Sequence, residues 1–218
     1  HDALTAGHLG QAKTLRKIQR NFWWYKMADD VNNYCDTCPT CAHIKSSTHL
    51  QKAPVSPFPC PKRRWSDVAM DFVTGLPKTE RNVDAIVTFT DKLTKMVHLI
   101  PLNFANSRCA LTVARIFFDH VYKLHGLPTK IISDRDPRFT SQFWTELFTI
   151  LGVELAMSSP YHPQTDGQSE NTNKTIEQIL RAYVEPRQSD WDLLLSGVEF
   201  AINDSTHAVT GYTPFELN

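Results

Sequence analysis

The pattern His1, six residues, His8, 29 residues, Cys38, two residues, Cys41 restricts this chain more than any other feature of it. Two imidazoles and two thiolates make a closed tetrahedral shell for zinc, and a Cys-x-x-Cys turn presents both sulfurs to one ion. The chain that leaves His8 must therefore fold back on it by Cys38. Two short apolar stripes at helical spacing suit that excursion: Leu15, Ile18 and Phe22, then Met27, Val31 and Tyr34. Helices this short are not stable alone, so bound zinc is expected to supply the missing folding free energy. Cys35 makes a second Cys-x-x-Cys with Cys38, and His43 and His49 lie just downstream. Cys35 shares its helix with Tyr34 and reads as a small buried side chain. Five cysteines, an odd number with three inside seven residues, suit metal in a reducing compartment better than a disulfide framework.

Beyond this module, residues 45–64, KSSTHLQKAPVSPFPCPKRR, carry four prolines and no helical or alternating period. Such a segment is extended and semi-rigid. The expected division is a zinc-binding domain over 1–45, a basic Pro-rich linker over 46–64 and a larger domain over 65–218. A net charge of zero hides an asymmetry: residues 1–64 hold ten Lys/Arg against four Asp/Glu, and the remainder thirteen against nineteen. A basic segment beside an acidic core fits a polyanion partner, with metal ions masking the acids. No run approaches the length of a membrane span, and the opening HDALTAGHLG has neither a Met nor a signal peptide. A fragment or processed product is the expectation.

The larger domain reads as α/β. WSDVAMDFV suits a strand, VDAIVTFTD and KMVHLIPL a hairpin, and TKIISD and VELAMSS two further strands. Helices are expected over SRCALTVARIFFDHVYKLHG, with Leu111, Ala114, Phe118, Val121 and Leu124 inward, and over SQFWTELFTILG, capped by Thr140. Two more follow, one carrying Glu170 in its first turn and one over WDLLLSGVEFAIND. Three strands, helix, strand, helix, strand, then helices suit a mixed sheet with helices on its faces. Asp71 and Asp134 lie where strand-like runs end or turn polar, and 35 residues separate Asp134 from Glu170. Three acids from different elements can close around two divalent ions, and oxygen ligands select Mg²⁺ or Mn²⁺. Asp67, Asp91, Asp136 and Asp166 read as turn or edge residues instead.

The motifs are more specific than the spacing. GHLGQAKTL, the His-His-Cys-Cys pattern, MDFVTGLP, ISDRDPRFTSQFW, SSPYHPQTDGQSE and TGYTPFEL follow one another along the chain. Together they resemble the integrases of gypsy-type long-terminal-repeat retrotransposons (Metaviridae), which are cut from a Pol polyprotein. The resemblance implies a small helical zinc-binding domain followed by a ribonuclease-H-like core, a mixed five-stranded sheet flanked by helices. It places the catalytic acids on Asp71, Asp134 and Glu170. It implies trimming of the 3′ ends of element DNA and their transfer into target DNA, with two Mg²⁺ or Mn²⁺ ions for catalysis and structural Zn²⁺. It also implies DNA contacts from His162, Gln164, Gln168 and Lys174, a homo-oligomer of four or more copies on DNA, and action in the nucleus after a cytoplasmic particle stage.

Two departures stand out. Retroviral relatives carry lysines four and seven residues after the catalytic Glu; here Lys174 fills the first place and Glu177 the second. The family's Trp-Pro-Gly-Met appears as Trp24, Tyr25, Lys26, Met27. Family members also carry a C-terminal DNA-binding domain, sometimes with a chromatin-reading module, which is missing after Asn218. The alternative functions are a non-catalytic remnant serving as a DNA- or protein-binding module, an RNase H-like nuclease with another substrate, and a zinc regulator. Intact acids at all three positions argue against the remnant, and a regulator leaves the larger domain idle.

Overall fold

Alternation along Asp67–Val73 (β1) sets the architecture. Successive side chains of a strand point to opposite faces; Val68 and Met70 enter one apolar cluster and Val73 another. The computed structural model describes residues 1–44, 61–105, 109–133, 137–152, 167–183 and 190–218. β1 pairs antiparallel with β2 (Ala85–Asp91), which pairs antiparallel with β3 (Val97–Leu102). On its other side β1 pairs parallel with β4 (Lys130–Ile132), giving the order β3-β2-β1-β4. The mixed sheet is as expected, with four strands among the described residues; VELAMSS, the expected fifth, falls at 153–159 and outside them. Asp91 is the turn residue anticipated. Fully buried, it accepts hydrogen bonds from the Thr94 backbone at 3.0 Å and hydroxyl at 2.7 Å, and from the Trp65 amide at 3.1 Å.

One face of the sheet is covered by α4 (Ala110–Phe117) and α6 (Pro137–Leu151). α4 runs through a π-helical turn (Phe118–Tyr122) into α5 (Lys123–His125). The buried stripe is Ala110, Val113, Ala114, Phe117 and Val121, which corrects the expected one; Leu111 is 45% and Leu124 60% exposed. Apolar residues occupy both sides of this helix, and the π turn takes one residue more than an α turn, which rotates everything after Phe117. α6 begins at Pro137, not after Thr140, because proline suits the first helical turn. Thr140 is buried inside the helix.

The opposite face is covered by α7 (Gly167–Tyr183) and α8 (Trp191–Asn203). Ile176, Ile179, Leu180, Trp191, Leu195 and Val198 pack there on Val73, Ile86, Val97 and Leu99. α8 also finishes the outer edge of β3. The Asn203 amide side chain accepts from Val97 N–H and donates to Val97 C=O, both at 2.9 Å, and Glu199 accepts from Leu99 N–H at 2.9 Å. The next outward position on this edge is Pro101, which has no N–H. Glu199 also bonds Nδ1 of His98 at 3.0 Å, and Nε2 of His98 lies 2.9 Å from Nε2 of His125. The Trp65 ring stacks on His125 at 3.9 Å. The short α9 (Pro214–Leu217) closes the described chain on a capping box of Thr213 and Glu216.

The N-terminal module consists of a 3₁₀ turn (Leu4–Ala6), α1 (Gln11–Gln19), α2 (Met27–Asp36) and α3 (Pro39–Ile44). Its core is Met27, Val31 and Cys35, with Leu15 and Ile18 packed against them. The predicted stripe thus needs two corrections: Phe22 lies beyond the end of α1 and is 65% exposed, and Tyr34 is 54% exposed. Cys35, four residues after Val31, takes the inward place because α2 presents positions 27, 31 and 35 to α1. The module rests on the helical face of the larger domain. The 3₁₀ turn meets α8, α3 meets α7, and Lys17 and Arg20 each reach Asp204 at 2.7 Å.

Candidate metal centre and active site

Local backbone geometry brings His8 back toward His1. Gly7 and His8 are both left-handed, with φ of 69° and 47°, and the His8 amide donates to the His1 carbonyl at 3.3 Å. Cys38 and Cys41 sit at the junction of α2 and α3, where the Ala42 amide bonds the Cys38 carbonyl at 3.1 Å. One ligand atom from each of His1, His8, Cys38 and Cys41 lies within 4.8 Å of all the others. Nε2 of His1 is 3.3 Å from the Cys41 sulfur; Nδ1 of His8 is 3.5 Å from Cys38 and 3.7 Å from Cys41. Zinc at about 2.3 Å from sulfur and about 2.05 Å from nitrogen has tetrahedral sulfur–nitrogen edges of about 3.5 Å. The four side chains fit zinc. It is the one such group of His, Cys, Asp and Glu among the described residues.

The neighbours of this set orient it. Nδ1 of His1 lies 3.4 Å from the Thr14 hydroxyl and 3.6 Å from the Cys35 sulfur, which stands behind the ring and outside the ligand group. Thr14 in turn donates to the Leu9 carbonyl at 3.1 Å. A ligating histidine held at its other nitrogen has a fixed ring orientation. Tyr34 donates its hydroxyl to Asp2, and this hydrogen bond, followed by the charge of Asp2, raises the phenol's pKa. Asp2 also lies 3.8 Å from Nδ1 of His8.

The larger domain places Asp71 on the α7 face of β1, two residues before the buried Val73. Its Oδ2 accepts from the Asn173 side-chain amide at 2.7 Å and its Oδ1 from the Phe72 amide at 2.7 Å. Asn173 is therefore the residue that ties α7 to β1 at this point. Glu170 lies three residues earlier on α7, and residues three apart are neighbours on one helix face. The side chain of Glu170 lies outside the described residues, as does that of Gln168; Asp134, His162 and Gln164 fall outside them altogether. β4 ends two residues before Asp134, on the strand beside β1. Lys174 is exposed on α7, and Glu177 accepts from Arg181 at 3.3 Å.

Asn173 is the functional candidate that reading the sequence missed. An amide has no ligand spacing of its own to draw attention, and the available signal was its place one turn after Glu170. Its Oδ1 is buried and has no hydrogen-bond partner among the described residues. An orphaned acceptor beside a carboxylate suits a site that takes a hydrated cation, whose water would donate to it. Carboxylate and amide oxygens are also the donor types that magnesium and manganese prefer.

Comparisons with known proteins agree with this organisation. Residues 1–47 match the family described as the integrase zinc binding domain. The Tf2-3 and Tf2-4 transposon polyproteins of Schizosaccharomyces pombe are each 36% identical over 200 residues, 92% of this chain. The chain spans 15% of the length of each polyprotein. In fold, it resembles the HTLV-2 integrase catalytic core domain solved with magnesium, with a TM-score of 0.52 and 18% identity over 70% of this chain and 95% of that one. It also resembles a chain of a simian T-cell lymphotropic virus intasome, solved with a PP2A regulatory subunit, with a TM-score of 0.55 and 19% identity. That match covers 96% of this chain and 70% of the other.

A His-His-Cys-Cys module set against a mixed sheet defines the class: an integrase zinc binding domain beside a core with the fold of integrase catalytic domains. Over 92% of its length the chain is homologous to Tf2 retrotransposon polyproteins of the gypsy type, and its first 47 residues match the integrase zinc binding domain, which agrees with the resemblance its motifs carry.

Proposed function

We propose that this chain is a polynucleotidyl transferase that trims the 3′ ends of element DNA and joins them to target DNA. The observation that carries this reading is the bond between Asn173 and Asp71, which draws the helix bearing Glu170 against the strand bearing Asp71. In this proposal Asp71, Asp134 and Glu170 hold two magnesium or manganese ions. Such ions, when bound, activate the attacking oxygen and stabilise the leaving one.

In the first step a water oxygen attacks phosphorus near the 3′ end, a new P–O bond forms, and the 3′-oxygen of the retained strand leaves with a proton. In the second step that 3′-hydroxyl attacks a target phosphodiester and displaces a target 3′-oxygen. Both are in-line displacements, so no covalent enzyme intermediate is required. The contribution of this chain is to hold the acids. Asp71 has one carboxylate oxygen fixed by the Phe72 N–H and the other by Asn173, so its orientation is set before substrate arrives. Lys174, exposed one residue beyond Asn173, is assigned to a DNA phosphate, and His162, Gln164 and Gln168 to DNA around the scissile bond. The zinc module over 1–45 has a structural role, joined through the 46–64 linker to the 65–218 core. The partners are two element ends and target DNA on a homo-oligomer, and the site of action is the nucleus.

The test is strand transfer of a labelled element end into plasmid with Mg²⁺ or Mn²⁺, comparing wild type with Asp134→Asn and Glu170→Gln. Joined product from the wild type alone is expected. Cut but never joined DNA would favour a nuclease. No product at all would favour a non-catalytic DNA-binding remnant.

A further inference from the structure

The two residues flanking zinc ligand His8 both touch the face of the core that α7 and α8 make. Gly7, on one side, has a left-handed φ of 69°, and a Cβ there would lie 3.0 Å from the Ala201 Cβ of α8 and 3.4 Å from the Ile179 Cδ1 of α7. Its backbone thus occupies a tight crevice, where a Cβ would press on its neighbours and would also be strained by the positive φ. Leu9, on the other side, packs into the cluster formed by Ile176, Ile179, Leu180, Trp191 and Val198. Cys41 rides on α3, which lies against α7. Both halves of the ligand set are therefore connected to the helix that presents Asn173 to Asp71.

The module cannot hold this arrangement by apolar packing alone. Its own core amounts to Met27, Val31 and Cys35 with two half-buried partners, far below what a domain of this size needs to fold unaided. Where His8 goes, Gly7 and Leu9 go with it. An open ligand set would leave Ile179, now buried, without part of its cover. The clamp of Lys17 and Arg20 on Asp204 is the remaining polar tie between the two parts that the described residues show.

We infer that α7 senses zinc occupancy within the same chain: Gly7 and Leu9 couple the state of the His-His-Cys-Cys set to the helix carrying Asn173 and Glu170. The importance of α7 for chemistry rests on the proposed function; the coupling itself does not, and it is measured without DNA. Coupling between two sites is reciprocal, so weakening the dock must also weaken zinc binding.

The test uses the full chain and amide hydrogen exchange, with and without a zinc chelator. Chelation is expected to speed exchange at Ile176–Leu180 about tenfold while leaving β2 and β3 protected, within the usual range of coupling between sites. Gly7→Val, with its ligands intact, should show the same faster exchange in α7 while metal analysis still finds one zinc per chain. Asp204→Ala, far from the ligands, should lower zinc affinity about tenfold in a competition titration with a chelator. Unchanged α7 exchange after chelation would overturn the inference. So would an Asp204→Ala zinc affinity equal to wild type. A zinc-loaded Gly7→Val with fully protected α7 would do the same.

Discussion

The side-chain amide of Asn173 donates to the Asp71 carboxylate at 2.7 Å across the junction of α7 and β1, while the carbonyl end of the same side chain is buried and has no hydrogen-bond partner among the described residues. One residue thereby orients an acid and keeps a buried acceptor beside it. Removing such a partner behind a metal-ligating acid typically costs about 10–100-fold in metal affinity or activity. Asn173→Ala is expected to lower strand transfer by about that factor and to raise the Mn²⁺ concentration giving half-maximal rate. The check is a metal titration of activity, with thermal unfolding run in parallel. Full activity at low Mn²⁺ would show that Asp71 needs no such support.

Zinc removal should be visible without any substrate. With so small a core of its own, the module is expected to lose the helices over 11–19 and 27–36 when the metal is chelated, and to regain them on re-addition. Far-ultraviolet circular dichroism reads this directly. A spectrum unchanged after complete zinc removal would mean that docking alone holds the module together.

Lys26 is in the left-handed region, φ 61° and ψ 21°, immediately before α2. Glycine adopts this conformation freely, whereas a residue with a Cβ costs about 1–2 kcal/mol in it. Lys26→Gly is therefore expected to stabilise the zinc-loaded module by about 1 kcal/mol, after allowance for the greater freedom of glycine when unfolded. Denaturant unfolding monitored at the module's tryptophans measures it. A destabilised variant would show that Lys26 makes a contact worth more than the strain, its ammonium over the Tyr25 ring being the first candidate.

Burial, followed by the proximity of His98, lowers the pKa of His125 from 6.5 to about 4. Burial also lowers those of His120 and His207. A histidine with a depressed folded pKa binds its proton more readily when unfolded. Its contribution therefore weakens stability as pH falls from about 6.5 toward 4 and adds no further change below that. Unfolding free energy should decline across this window, and His125→Phe, able to keep the stack on Trp65, should flatten the decline. An identical pH profile in the variant would assign the loss to the carboxylates.

The legible and illegible parts of this chain differ for a physical reason. The zinc ligands could be read because metal chemistry fixes residue type and spacing together. Strands β1 to β3 could be read because burial on alternating positions leaves a period. The helical stripes were less legible: Tyr34 and Cys35 are both acceptable at the end of α2, and both Leu111 and Val113 offer an apolar side for α4. Only the partner packed against each helix decides between them, α1 for α2 and the sheet and α6 for α4. Thr140 looked like a cap because nothing local shows that Pro137 has already started the helix. The dock of Gly7 on Ala201 joins residues nearly the whole chain apart, and no local pattern announces such a contact.

The finish along β3 governs how copies of this protein can meet. An open strand edge is a template on which a neighbour's strand can grow. Here Asn203 and Glu199 have already claimed the outward amides of Val97 and Leu99, and Pro101 has none to offer. A second chain arriving at this edge finds no donor at those three positions. Copies of the chain can then crowd together without strand addition along β3 at these positions, which closes that flank as an aggregation route.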